Sequence, residues 1–156
     1  MSVARTASTG EKKVNGRKRH ILVDVLGMVL MVLVTPANIQ DRDAAAIIVR
    51  AAHREFATIQ LIWVDGAYNG AVIDEVATDT GINIQMVKRT DDAKEFKVLP
   101  RRWVVERTFG WLGKYRLLSK EYERTIESST ADVLHAMTML MLRRLTIPHD
   151  ARKEAR

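Results

Sequence analysis

Residues 20–34 read HILVDVLGMVLMVLV. Two apolar, β-branched runs, His20–Asp24 and Met28–Val34, flank the tetrapeptide Asp24-Val25-Leu26-Gly27. Aspartate at the first position of a turn and glycine at the last suit a tight reversal, so the two runs predict a β-hairpin. The second run is apolar without alternation, which implies a strand buried on both faces. Such a strand needs a layer on each side, and the rest of the chain must supply both.

Downstream, Thr35-Pro36-Ala37-Asn38 breaks the strand. Asp41 or Asp43 then caps a helix to about Glu55, with Ala44, Ile47, Ile48 and Ala51 as its apolar stripe. QLIWVD at 60–65 reads as a short buried strand, a helix over 70–80 ends at Gly81, and 82–89 alternates as a strand with Ile82, Ile84 and Met86 on one face. Pro100 opens a further helix after a charged loop. Ser128 or Ser129 caps the last, which runs to about Leu145 with Val133, Leu134, Met137, Leu140 and Met141 inward. The order β-β-α-β-α-β-α-α predicts an α/β fold, a mixed sheet flanked by helices. Residues 1–19 read as a basic flexible arm, 20–147 as the folded domain and 148–156 as a disordered tail.

The chain has 156 residues, 47% of them hydrophobic, which suits one domain with a sizeable core. A net charge of +6 favours an anionic partner, nucleic acid ahead of a membrane surface. The absence of cysteine excludes disulfides, thiolate zinc sites and a cysteine nucleophile, and fits a reducing cytoplasm. MSVARTASTGEKK at 1–13 lacks the apolar stretch of a signal peptide. The run at 28–34 falls far short of the ~20 residues a membrane helix needs, so a soluble chain is expected.

Chemistry concentrates at two carboxylates. In RRWVVERTFGW (101–111) the lone acid Glu106 sits among three arginines and two tryptophans. Arg102 lies one turn earlier, and Gly110 and Gly113 continue the same helix face. One reading is an Arg–Glu ion pair worth ~0.5 kcal/mol. The other is a metal-binding carboxylate on the floor of a phosphate-lined groove, edged by Arg107 and Lys114. The second explains two glycines that each cost about 1 kcal/mol of helix propensity. Asp65 closes a buried strand, as an Asx-turn or cap, or as a ligand at a strand's carboxyl end. Together Asp65 and Glu106 could share Mg²⁺, which takes a few carboxylates plus water and phosphate oxygens. Two such ions ~4 Å apart drive phosphodiester cleavage. A third carboxylate is then expected, but Asp24 suits its turn, Asp41 and Asp43 a helix start, and Asp74 a solvated face. His20, His53, His135 and His149 show no ligand spacing. Lys12, Lys13, Arg17, Lys18 and Arg19, with Arg101 and Arg107, suit phosphate contact without base readout.

GRKRHILVDVLGMVLMVLVTPANIQDRD (16–43), WVDGAYNG (63–70) and VLPRRWVVERTFGWLGKYRLLSKEYE (98–123) resemble the DDE transposases of bacterial insertion sequences, which share an RNase H-like catalytic domain. The resemblance covers nearly the whole chain in the family's order. It implies a three-carboxylate, two-metal site, using Mg²⁺ or Mn²⁺, that nicks transposon ends and joins them to target DNA. The family's W-x-D-x-x-Y motif falls on Asp65. Its R-x-x-x-E motif falls on Glu106, with Arg102 as positioning partner. The family lysine two turns on is approximated by Lys114, one residue off, and a tyrosine three residues before the arginine is replaced by Leu99. Ser2-Val3 followed by Arg5-Thr6 is similar to the tail of the stretch that opens on the first catalytic Asp, so that residue is expected just upstream of Met1. The chain would then be a carboxyl-terminal catalytic portion, inactive alone, with a remnant of the central first strand and two strand edges facing a gap. The resemblance also implies a bacterial cytoplasmic, nucleoid-associated protein, DNA as partner, a homodimer or association with full-length transposase, and no membrane contact. The alternative is a non-catalytic DNA-binding remnant that modulates a full-length transposase.

Overall fold

The computed structural model describes the backbone of residues 2–5 and, with side chains, residues 16–65, 68, 70–87 and 103–146. Strands β1 (Ser2–Arg5), β2 (Arg17–Val23), β3 (Val29–Pro36), β4 (Leu61–Asp65) and β5 (Asn83–Val87) form one sheet in the order β3-β2-β1-β4-β5. Helices α1 (Asp41–Glu55), α2 (Ala71–Thr80), α3 (Trp103–Leu112) and α4 (Ile126–Thr146) complete it. The hairpin expected at 20–34 is present as β2 and β3. Asp24 Oδ1 accepts from the backbone N–H groups of Leu26 and Met28, both at 2.8 Å, and Gly27 takes φ 82°, where a Cβ is disfavoured.

Alternation along β2 divides the core in two. Leu22 packs with Ile62, Val64, Tyr68 and the inner faces of α1 and α2. Ile21 and Val23 face the other way, against Val104, Val105 and Leu112 of α3 and Val133, Ala136 and Met137 of α4. The sheet is therefore covered on both sides, as continuous apolarity in the hairpin required.

The start of the chain supplies the expected remnant of the central strand: β1 lies in the middle of the sheet, antiparallel to β2 from Ser2↔Val23 to Arg5↔His20 and parallel to β4 at Ser2↔Trp63 and Val3↔Val64. At its level the strand edges do not face the gap that was expected. A short strand is enough, because pairing satisfies the backbone groups of both neighbours at that level. Arg17, Lys18 and Arg19 belong to β2 and not to a flexible arm. Smaller shifts occur at helix ends. The α1 N-cap is Gln40, without a side-chain capping bond, and Asp41 lies inside the helix, 3.2 Å from Lys18 Nζ. Thr125, not Ser128 or Ser129, caps α4, its Oγ1 accepting from the Ser128 N–H at 3.1 Å. Gly81 ends α2 in the left-handed region as expected. Leu134 and Met141 of α4 and Ile47 of α1 are exposed, because each helix turns a neighbouring stripe toward the sheet.

Candidate active site

Asp65 is the last residue of β4 and pairs with Val87 of β5. Ile62 and Val64 enter the core beneath α1 and α2. Leu61, Trp63 and Asp65 therefore project toward the face that α3 and α4 cover. Beyond the strand the chain turns back, and the Tyr68 N–H donates to the Asp65 carbonyl at 2.9 Å.

Glu106 lies in the first turn of α3, which is seated by buried Val104, Val105, Thr108 and Leu112. Thr108 Oγ1 donates to the Gly27 carbonyl and Arg107 Nη2 to the Leu26 carbonyl, each at 2.8 Å, so one flank of the helix grips the β2–β3 turn. The Arg107 guanidinium sits between the rings of Trp103 and Trp111, at 4.1 and 4.6 Å. Glu106 precedes Arg107 by about 100° and Thr108 by about 200° of helix rotation. It is exposed on the opposite flank, away from the turn. Since α3 packs on β1 and the turn lies on the β2–β3 side, that flank looks toward β4. Asp65 and Glu106 thus share one face of the sheet. Gly110, on the Glu106 flank, has no neighbour within 4 Å of an added Cβ. Gly113 is not inside the helix, which ends at Leu112, and Lys114 lies in the following turn.

The basic residues divide. Lys12, Lys13, Arg101 and Arg102 fall outside the described residues. Arg17 Nη1 donates to the carbonyls of Glu123 and Thr125, both at 2.9 Å, and Arg19 Nη1 to that of Leu118 at 3.0 Å. Both arginines also pair with Glu121, at 3.4 and 3.0 Å, and Glu121 accepts from Ser129 Oγ at 3.0 Å. Lys18 holds the Ile39 carbonyl and Asp41. Of the residues that read as an arm for phosphates, Arg17 and Arg19 hold the segment before α4 against the sheet, and Lys18 holds the start of α1. A signal was available: at strand period Arg17 and Arg19 share a face with Ile21 and Val23.

The sequence pattern described as Transposase DDE domain matches residues 2–141. The chain belongs to the transposase DDE domain family. A transposase assigned to the insertion sequence element IS402 of Burkholderia cepacia is 29% identical over 116 residues, covering 70% of this chain. The chain spans 54% of that relative's length. The catalytic core of bovine immunodeficiency virus (BIV) integrase superposes with a TM-score of 0.56 at 14% identity, over 87% of this chain and 78% of its own. A chain of the simian T-cell lymphotropic virus intasome in complex with the PP2A regulatory subunit B56 gamma gives a TM-score of 0.58 at 17% identity, over 87% of this chain and 45% of its own. These likenesses show the fold, the RNase H-like mixed sheet flanked by helices that the sequence led us to expect.

The donor set of this DDE domain can be judged from its residues. Among the described residues no group of three or more His, Asp and Glu gathers in one place. The β1–β4 register, Ser2↔Trp63 and Val3↔Val64, sets position 4 level with Asp65, and that residue is alanine. The carboxylates at 65 and 106 are hard oxygen donors that suit Mg²⁺ or Mn²⁺. Zinc chemistry finds no thiolate, and His20 is buried among hydroxyl groups. No described helix is long and apolar enough to cross a membrane.

Proposed function

We propose that Asp65 and Glu106 hold a divalent cation, Mg²⁺ or Mn²⁺, and that the domain cleaves and transfers DNA strands at the ends of an insertion sequence, acting in the bacterial nucleoid. The supporting observation is that β4 and α3 deliver the two carboxylates to one face of the sheet, on elements fixed by other contacts. A cation bound there would supply positive charge for the oxygens of a phosphodiester under attack. The chain's own part is placement: the β4–β5 ladder sets Asp65, and the grip of α3 on the β2–β3 turn sets Glu106. Arg107 on α3 and Lys114 in the turn after it place cations near Glu106 in the chain, and with Lys12, Lys13, Arg101 and Arg102 they would attract phosphates. Arg17, Lys18 and Arg19 serve the fold first.

Two carboxylates hold a metal pair poorly. With alanine at position 4, we propose that this chain alone cleaves weakly or not at all. Mn²⁺-dependent nicking of a DNA end, abolished by Asp65→Ala and by Glu106→Ala, tests the catalytic reading, and Ala4→Asp should strengthen Mn²⁺ binding. The absence of a three-carboxylate group among the described residues favours a second reading, a DNA-binding remnant that modulates a full-length transposase. Salt-sensitive DNA binding that ignores both alanine variants, with no nicking, would select it.

A further inference from the structure

Three polar side chains that the proposed chemistry does not use meet inside the sheet. His20 and Tyr68 are 0% exposed and Thr35 6%. His20 Nδ1 lies 3.2 Å from Tyr68 Oη, and His20 Nε2 lies 3.1 Å from Thr35 Oγ1. The two rings meet edge to face with centroids 6.3 Å apart. A neutral imidazole donates from one nitrogen and accepts at the other, and a hydroxyl can take either role, so each member of the trio has a partner within it. Burying three polar groups is costly unless they are paired in this way.

The trio reaches the strand end that carries Asp65. Tyr68 is three residues further on, and its N–H closes the turn onto the Asp65 carbonyl at 2.9 Å. Asp65 is held on one side by its pairing with Val87, and β1 runs beside β4 at Ser2↔Trp63 and Val3↔Val64. His20 is on β2, across β1 from β4 and paired with Arg5. The link from Tyr68 to His20 therefore spans two strand spacings, ~10 Å, over the end of β1.

We propose that Tyr68 and His20 are positioning residues, with Thr35 as their anchor, that fix the Asp65 turn against β2 and so set the direction of the Asp65 carboxylate. This deepens the metal-site reading and rests on it. Removal of the hydroxyl by Tyr68→Phe leaves the ring in the core. The metal-free variant should exchange backbone amides across residues 65–70 about five- to ten-fold faster, the scale of one lost hydrogen bond. Its Mn²⁺ affinity should fall roughly ten-fold, as when an outer partner of a metal ligand is lost. Ile48→Val removes a methyl from the same core and should change neither readout. Should Tyr68→Phe not fold, Thr35→Val carries the same comparison with a smaller shift expected. Equal exchange and equal Mn²⁺ affinity in Tyr68→Phe and Ile48→Val would overturn the proposal. If exchange rises as expected while Asp65→Ala leaves Mn²⁺ binding of the parent chain unchanged, the tie stands and the metal-site reading fails.

Discussion

Beneath α1 and α2 the sheet is sealed by small side chains, Ala44, Ala45, Ala46 and Ala52 among them, which let the helix lie close on Leu22, Ile62 and Val64. Beneath α3 and α4 the apolar core is joined by a polar frame, in which Arg17 and Arg19 reach out of β2 to the carbonyls of residues 118–125. Both candidate ligands of the DDE domain belong to this second face. The contrast teaches that one side of the sheet supplies mainly apolar burial, while the other gives up some of it to hold a loop with charged groups.

The largest effect should come from the sealed face. Ile62→Ala is expected to cost about 2–5 kcal/mol, read as a lowered urea midpoint with unchanged slope. A loss below ~1 kcal/mol would mean that α1 and α2 do not dominate stability. On the framed face, Arg19→Ala should cost about 1.5–3 kcal/mol, the worth of hydrogen bonds from a charged group. Faster amide exchange confined to residues 116–125 would accompany it, whereas exchange unchanged there would show that the guanidinium is dispensable. Gly27→Ala combines the strain of φ 82° with a Cβ 2.7 Å from Thr108 Oγ1. A loss of about 1–2 kcal/mol is expected, together with a weaker hold on α3. The smallest effect on folding belongs to Glu106→Gln. Stability should stay within ~0.5 kcal/mol, since the side chain is exposed, while Mn²⁺ affinity falls. A large stability loss there would return Glu106 to the ion-pair role.

Much of the architecture was legible in the residues themselves. The hairpin rests on Asp24 and Gly27, whose turn chemistry acts within five residues, and Asp24 accepts the two N–H groups that such a turn presents. The end of α2 at Gly81 and the placement of Asp65 at the close of a strand likewise follow from local period and backbone freedom. Helix starts were less legible: Thr125 rather than Ser128 or Ser129 begins α4, because several hydroxyl residues in a row offer equally good local caps. Gly113 fell outside α3 for a related reason, since period alone does not mark where a helix stops.

By itself the sequence determined the buried hairpin, the order of the elements that follow it and the close of a strand at Asp65, because each depends on neighbours within a turn or a strand. Only the tertiary structure decided that Ser2–Arg5 pairs with both β2 and β4, that Arg17 meets Glu121 across 104 residues, and that Tyr68 reaches His20 across 48. Those contacts join segments whose separation along the chain carries no periodic signal, and they form only once the sheet has brought β1, β2 and β4 side by side.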